Sequence, residues 1–480
     1  MYRRQPPLRE TPSRRDRDDA CPGTLRLHMA DDGALARVRI PGGLLTVRQA
    51  HALADAADQQ GDGTLHLTSR GNVQLRGLGQ NRGHPDACGR ELANALSAIG
   101  LLPSPRHERV RNIVASPLSG RDGRGRSDVL PWVRQLDRLL CASEAAAALS
   151  GRFLFACDDG RGDVAALGAD VTVIARSTSD ALLRIGPDAH DETVTLPVSA
   201  QEAPRAALSA AELFLAAVRD SGTPCWRIRE LPGAAALLAR AVAERFAADT
   251  PRTEPEAEAE AESETEALLP APHDAHGPTP GEHPAPAPST RTALCVAAPL
   301  GRLTTAQWRL LANTAERDGD DRLHVTPWRS VVLPGLPGLP APTAGDRLAE
   351  LAAAGLVTGP DAPLYGVGAC AGQPGCAKSR TDVRAHAAHA TAATPRTDVG
   401  TRGGQPLPVY WSGCERRCGH PQSGDWVDVV ATPLGYDITA TRGAGPAASA
   451  PAGVRLHTAV TDPARLSAAM AAARTTEAPR

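Results

Sequence analysis

Four cysteines in the last third of the chain are the residues whose type and spacing most clearly imply chemistry. They form two close pairs, Cys370-x5-Cys376 and Cys414-x3-Cys418, separated by 37 intervening residues. Glycines beside the cysteines let both loops turn tightly and leave amide N–H groups free to point at sulfur. Four such thiolates are the ligand set of a 4Fe–4S cubane, whose potential depends on hydrogen bonding and burial. The pattern predicts an iron–sulfur oxidoreductase.

Two other uses of the four cysteines compete with a cluster. Structural zinc also takes four thiolates, but its paired ligands are usually two to four residues apart, and the first pair here has five between them. A disulfide pair is disfavoured in a reducing compartment. His386 and His389 could share a helix face and bind a second metal, although surface histidines on an alanine-rich helix are the favoured interpretation.

Composition and charge exclude several classes of partner. The formal net charge is −2 and aromatic residues make up 3% of the chain, which argues against nucleic acid and an anionic membrane surface as partners. The sequence has no apolar run of about 20 residues and no secretory signal at its N-terminus. We therefore expect a cytoplasmic protein with reduced cysteines.

The chain contains an internal repeat. Residues 41–78 align with residues 299–336 without a gap, at a constant offset of 258 residues. Thr46-x-x-Gln49 and Thr304-x-x-Gln307 are capping boxes that predict one helix in each copy. Alternating apolar residues after each helix predict two strands joined by a tight connection. The two copies should face each other about a pseudo-two-fold axis, but Arg70 of the first aligns with Trp328 of the second, which suggests a site used in one half only.

Low-complexity segments divide the chain around the repeat. The Arg-rich start and a Glu/Ala-rich stretch followed by prolines lack the periodicity of packed elements. The predicted organisation is a disordered tail (1–25), a first ferredoxin-like half-domain (26–92), a first cofactor- or substrate-binding domain (93–249), a linker (250–292), a second half-domain (293–344) and a cluster-binding domain (345–475).

The cysteine motif following a repeated half-domain resembles the sulfite and nitrite reductases, over residues 22–440 without the linker. The resemblance implies an α+β and α/β fold, with a pseudo-two-fold pair of ferredoxin-like half-domains and two α/β cofactor domains. It also implies a 4Fe–4S cluster beside a sirohaem, with the last cysteine, Cys418 here, bridging the two.

Three family motifs supply cations around the tetrapyrrole, and two of them are complete in this chain. Thr68-Ser-Arg70 matches the first and Arg111-Asn112-Ile113 the second, and in the third the two lysine positions hold Arg152 and Leu154. The resemblance implies tetrapyrrole binding by Arg70, Arg111 and Arg152. Leucine removes a charge that reduction of a small anion needs. The catalytic residues stay unknown; Asp158 and Asp159 are either iron ligands or turn residues.

A branch that departs in this way is the precorrin-3B synthases of aerobic cobalamin (vitamin B12) biosynthesis. The chain resembles that branch in three runs, Cys21-Pro-Gly-x-Leu-Arg-Leu-His28, Leu67-Thr-Ser-Arg-Gly-Asn72 and Phe155-Ala-x-Asp-Asp-Gly160. The resemblance implies a monooxygenase that hydroxylates precorrin-3A and closes a γ-lactone, using dioxygen and NADH-derived electrons delivered by an unidentified donor. The oxygen-activating centre would be a mononuclear non-haem iron or a retained sirohaem-like tetrapyrrole.

Two other functions remain open at this point. A sirohaem-dependent sulfite or nitrite reductase is compatible with Arg70, Arg111 and the four cysteines. A metal-stabilised binding protein without turnover is compatible with the cysteines alone.

Overall fold

The structure is a computed structural model that describes most of the chain. The described residues are 19, 21–79, 85–186, 193–247, 277–337, 343–392, 407–421, 425–441 and 453–475.

The described elements alternate between two half-domains and two α/β domains. The first half-domain contains β1 (His28–Ala30), β2 (Gly33–Val38), β3 (Leu44–Thr46), α1 (Val47–Gln60), β4 (Thr64–Leu67), β5 (Val73–Leu78) and α2 (Pro85–Ala98). The first α/β domain contains β6 (Ile113–Ala115), α3 (Leu130–Ala142), β7 (Phe155–Asp158), β8 (Val171–Ala175), β9 (Asp180–Ile185), β10 (Val194–Ser199), α4 (Ala203–Ser221) and α5 (Ala234–Ala247).

The second half of the chain repeats this order of units. Its half-domain contains β11 (Gly281–Pro284), β12 (Arg291–Ala297), β13 (Arg302–Thr304), α6 (Thr305–Asp318), β14 (Arg322–Val325), β15 (Ser330–Pro337) and α7 (Ala344–Ala353). Its α/β domain contains β16 (Val367–Ala369), α8 (Val383–Ala392), β17 (Val409–Ser412), β18 (Trp426–Thr432), β19 (Gly435–Thr441), β20 (Gly453–Val460) and α9 (Pro463–Thr475).

The two half-domains exchange a strand. One sheet has the order β1-β2-β5-β4-β13 and the other the order β11-β12-β15-β14-β3. Leu65 on β4 lies opposite Leu303, and Leu323 on β14 lies opposite Leu45, both in antiparallel register. Each sheet is therefore completed by the other half, and the two repeats form one structural unit with a shared apolar core.

The helices of the two repeats pack against each other at the pseudo-two-fold axis. Both predicted capping boxes are present, because Thr46 accepts from the amide of Gln49 and Thr304 from that of Gln307. Trp308 is fully buried, and its indole Nε1 donates to the carbonyl of Ala50 on α1 at 2.8 Å. The predicted pair of facing units is confirmed.

The two α/β domains also share one topology. Their sheets have the orders β10-β9-β8-β7-β6 and β16-β17-β18-β19-β20. In each sheet the three strands first in sequence are parallel and the last two pair antiparallel. The predicted fold class, paired half-domains with two α/β domains, is confirmed.

Parts of the predicted tail and linker are ordered. Asp19 accepts hydrogen bonds from the amide of Gly151 at 2.7 Å and the hydroxyl of Ser150 at 2.9 Å, because its carboxylate supplies acceptors for two donors of this loop. Strand β11, within the predicted linker, pairs with β12. Residues 1–18 and 20 of the tail and 250–276 of the linker lie outside the described residues. Within the described part, no helix is long and apolar enough to cross a bilayer.

Candidate functional site

The cysteine loops begin where two neighbouring parallel strands end. Cys370 directly follows β16, and Cys414 lies two residues after the end of β17. These strands pair in parallel, with Ala369 opposite Trp411, so both loops leave the same edge of the sheet. The carboxyl edge of parallel strands is the usual ligand-binding edge of an α/β sheet.

The four predicted ligands share one electrostatic environment. Burial raises the pKa of the Cys418 thiol, and the positive charge of Arg416 partly opposes that rise. The charges of the other three thiols (Cys370, Cys376 and Cys414) add to the rise. The amide of Gly413 also donates to the Cys370 sulfur at 3.2 Å, as the glycine-rich loops predicted.

The donor chemistry of the four cysteines is that of an iron–sulfur site. In the described part of the chain, no three His, Cys, Asp or Glu side chains close around a point that would hold one metal ion. Four thiolates, with amide hydrogen bonds to sulfur, are the ligand set of a cubane. The donor set and its amide hydrogen bond thus fit a 4Fe–4S cluster.

The first half-domain holds the loop that carries Cys376. Arg76 forms a two-pronged ion pair with Asp32, at 2.7 and 2.8 Å, and also donates to the carbonyl of Gly375. The Ala377 amide donates to the neighbouring Asp31. The β1–β2 turn therefore fixes both residues that flank the cysteine.

Two of the three predicted tetrapyrrole-binding arginines lie at one loop. Arg70 donates through Nη1 to the carbonyl of Gly151 at 3.1 Å, and Arg152 is the next residue. Arg152 is exposed, with its guanidinium 4.2 Å from the ring centroid of Trp226. Asn112 donates to the same Gly151 carbonyl at 2.9 Å.

Arg111 lies in a different environment. Its guanidinium forms two 2.7 Å hydrogen bonds to the carboxylate of Asp137 on α3, and a third, at 2.9 Å, to the Leu101 carbonyl. The side chain is 4% exposed. Arg111 and Arg70 therefore bond to different partners, Asp137 and Leu101 for the first and Gly151 for the second.

Two arginines that the sequence analysis did not select lie close to Arg70. Arg37 is on β2 and Arg39 directly follows its last residue. Each has a buried side-chain nitrogen, Nε and Nη1 respectively, without a hydrogen-bond partner among the described residues. Burial, reinforced by the charge of Arg37, lowers the pKa of Arg39 to about 9. Burial, reinforced by the charge of Arg227, lowers that of Arg70 to about 10. Arg37 and Arg39 also donate to uncharged oxygens, of Gln74 and Arg109. Neighbouring cations that repel one another and retain unpaired nitrogens suit an anion.

Leu154 lies in a small buried apolar cluster. It is 4% exposed and packs with Val114 and Ala156 on the face of the first α/β sheet opposite the helices, where Val164 and Ala169 complete the cluster. Alternation along the strands produces this face, because Ile113, Phe155 and their neighbours point to the helix side. The second lysine position of the reductases is therefore apolar here.

The carboxylates that follow β7 have local partners. Asp158 is fully buried and accepts from the amides of Gly160, Gly162 and Ala165. Asp159 pairs with the guanidinium of Arg161. These contacts are those of turn residues.

One histidine of the predicted pair on α8, His386, has a partner within its own domain. The Nδ1 of His386 lies 2.7 Å from the Tyr436 hydroxyl, which agrees with a structural role for this histidine.

Comparison with known proteins finds relatives among the nitrite reductases and the precorrin-3B synthases. The family described as "Nitrite/Sulfite reductase ferredoxin-like half domain" matches residues 28–82 and 283–351. A ferredoxin–nitrite reductase of Synechococcus elongatus is 26% identical, over 82% of this chain and 75% of its own length. A precorrin-3B synthase of Sinorhizobium is also 26% identical, over 88% and 82%. The structure of the Mycobacterium tuberculosis NirA protein shares the fold, with a TM-score of 0.62 and 20% identity. The match covers 88% of this chain and 77% of the NirA chain.

Two strand-exchanged ferredoxin-like half-domains, each followed by an α/β domain, define the class of this protein. The half-domain match falls on both repeats, and the relatives that align over most of the chain are oxidoreductases of one kind. The chain is therefore similar over most of its length to nitrite reductases and to a precorrin-3B synthase, and it carries the half-domain of the nitrite and sulfite reductases twice.

Proposed function

We propose that this chain is a precorrin-3B synthase, an oxygen-dependent monooxygenase that hydroxylates precorrin-3A and forms its γ-lactone in aerobic cobalamin biosynthesis. The observation that carries the proposal is the burial of Leu154 in an apolar cluster, at a position where the resemblance to the reductases implies a lysine. The similarity to the Sinorhizobium synthase, over most of both chains, supports it.

The apolar cluster around Leu154 argues against reduction of a small anion. Sulfite and nitrite take up six electrons with several protons, so cations and proton donors must surround the anion. Leu154 offers neither, and neither do Val114 and Ala156 beside it.

The buried arginines supply the complementary recognition. A precorrin carries many carboxylates at its rim, and guanidinium groups bind carboxylates through paired, charge-assisted hydrogen bonds. Arg37, Arg39 and Arg70 form one cationic group near the Gly151 loop, with unpartnered nitrogens on the first two. The proposal assigns them to the substrate's carboxylates.

The four-cysteine site provides the redox function. A 4Fe–4S cluster held by Cys370, Cys376, Cys414 and Cys418 would supply electrons one at a time. The chain's own groups orient the loops: Arg76 at Gly375, and Tyr410, whose hydroxyl donates to the Cys418 carbonyl at 2.7 Å. The electrons come from NADH through a separate donor, and the proposal includes dioxygen as the second substrate.

A sirohaem-dependent sulfite or nitrite reductase is the second candidate. The retained Arg70 and the Synechococcus nitrite reductase, as similar in identity as the synthase, favour it. The two candidates differ in cofactor and in substrate, so purified protein distinguishes them.

Turnover assays of anaerobically purified protein test the proposal. We expect conversion of precorrin-3A only when dioxygen and an electron source are present, and no reduction of nitrite or sulfite. The visible spectrum should show an iron–sulfur chromophore, with about four cluster irons and four sulfides per chain. A sirohaem spectrum with nitrite or sulfite turnover would establish the second candidate, and a colourless zinc protein would indicate a binding protein.

Arg70→Met tests the carboxylate assignment. Losing one charge-assisted bond should weaken precorrin-3A binding by about 1.5–3 kcal/mol, measured by fluorescence or absorbance titration. Arg240→Met is the matched control, because Arg240 is 83% exposed on α5. Unchanged affinity in a folded Arg70→Met protein would show that the residue does not bind the substrate.

A further inference from the structure

The same kind of turn joins β4 to β5 in the first repeat and β14 to β15 in the second. In the first copy the amide of Thr68 donates to Asn72 at 2.9 Å and that of Gly71 to Thr68 at 3.1 Å. In the second the amide of Thr326 donates to Ser330 at 2.8 Å and that of Arg329 to Thr326 at 3.1 Å. The threonine hydroxyl also accepts two amide hydrogen bonds in each copy. The two turns therefore have the same hydrogen-bond pattern.

One position of this turn requires a left-handed backbone. Gly71 has φ +64° in the first copy, and its counterpart in the second, Arg329, has φ +60°. Glycine adopts this conformation without steric cost, whereas a residue with a Cβ does not. A strained non-glycine residue that persists at such a position points to a use for its side chain.

The Arg329 side chain extends to the loop of the last cysteine. Its Nη2 donates to the carbonyl of Gly419 at 2.7 Å, one residue after Cys418. Its guanidinium carbon lies 5.5 Å from the ring centroid of Tyr410, the residue that donates to the Cys418 carbonyl. A Cβ at Gly419 would lie 3.2 Å from the same Nη2, so glycine there permits the approach.

The charge of Arg329 is not neutralised by a described carboxylate. Two other arginines of the cluster loops have acidic partners: Arg417 pairs with Asp428 at 3.2 Å and Arg380 with Glu415 at 2.7 Å. Within the described ranges no carboxylate oxygen comes within ion-pair distance of the Arg329 guanidinium, which hydrogen-bonds a carbonyl instead. It therefore places a positive charge beside the Cys418 loop.

We propose that Arg329 is a positioning residue of the cluster site, which fixes the Cys418 loop and raises the reduction potential of the cluster through its charge. Uptake of one electron makes the cluster more negative, so a nearby cation stabilises the reduced form. The first copy needs no such group, and there the position is glycine. The inference rests on the four-cysteine cluster and not on the identity of the substrate.

Redox titration of the purified full-length protein, followed by EPR with dithionite as reductant, tests this inference. Arg329→Gln removes the charge but can still donate to Gly419, and its midpoint potential should be more negative than that of the wild type. Arg329→Lys retains the charge and should stay near the wild-type value. Arg329→Gly copies the first repeat, and should shift the potential in the same direction as Arg329→Gln without lowering the melting temperature. Arg240→Gln, a charge removed from an exposed helix face, should leave the potential unchanged.

The outcomes separate this inference from the proposed function. Two results, obtained while the wild type contains its full complement of iron, would overturn the role of the Arg329 charge but not the cluster assignment. One is an Arg329→Gln variant with the wild-type midpoint potential, and the other is an Arg329→Lys variant whose potential shifts as far as that of Arg329→Gln. Loss of cluster iron from the lysine variant also overturns that role, since the residue would then be needed to build the loop. A wild type without iron and sulfide overturns both the inference and the cluster assignment.

Discussion

Cys414→Ser is expected to yield a folded protein without its four-iron cluster and without turnover. Serine is a poor ligand for these irons at neutral pH, and Cys414 is one of four thiols gathered at the edge of the second α/β sheet. Iron and sulfide analysis, together with the visible spectrum of the anaerobically purified variant, measures the loss. Precorrin-3A turnover should fall to background.

Cys141→Ser is the matched control for the cysteine prediction. Cys141 lies on α3 and is half-buried, remote from the cluster loops in sequence and in fold. This variant should keep the wild-type content of iron and sulfide. An active Cys414→Ser protein with full iron would contradict the ligand assignment.

Arg111→Ala is expected to destabilise the protein strongly. The side chain is 4% exposed and makes two hydrogen bonds to Asp137, so its removal leaves a carboxylate and a carbonyl without their donor. Breaking a buried pair of this kind costs about 3 kcal/mol in the free energy of unfolding, which chemical denaturation measures.

A double-mutant cycle with Asp137→Asn identifies the source of that effect. The two single variants should be non-additive, because they remove the same ion pair. Unchanged stability combined with weaker precorrin-3A binding would instead support the role in tetrapyrrole binding that the family motif implies for Arg111.

The repeat was predictable from the sequence because its elements are defined locally. Capping boxes, helical periodicity and alternating strands need only neighbouring residues, and the structure confirms them. The strand exchange was not predictable, since the short β3 and β13 carry no signal for which sheet they join. Leu45 and Leu303 have the same pattern whichever half they pair with.

The cationic site shows a second limit of the sequence. Arg37 and Arg39 alternate with apolar residues at the end of β2, a pattern typical of a strand with one solvated face. Contacts with residues distant in sequence cover them, since the Arg37 amide donates to the Gly23 carbonyl and Arg39 Nε donates to the Arg109 carbonyl. Conversely, the Arg111 motif identifies the residue but does not show which way its side chain points. Asn112 donates to the Gly151 loop, whereas Arg111 bonds to Asp137 on α3.

The two α/β domains use equivalent loops differently. Asp158 ends β7, just before the β7–β8 connection, and the corresponding β17–β18 connection carries Cys414 and Cys418. A buried carboxylate in the first domain satisfies the amides of its own turn, while thiols in the second gather at the sheet edge. The correspondence is visible in the topology, and no shared residue pattern reveals it in the sequence.

The central claim is that this reductase scaffold inserts oxygen into a tetrapyrrole. Mass spectrometry of the product formed from precorrin-3A under isotopically heavy dioxygen tests it most directly. The proposal predicts a product that carries one heavy oxygen atom and the mass expected for a γ-lactone, formed only with an electron supply. A tetrapyrrole of unchanged mass, in a protein that reduces nitrite or sulfite, would contradict it and identify the chain as a reductase.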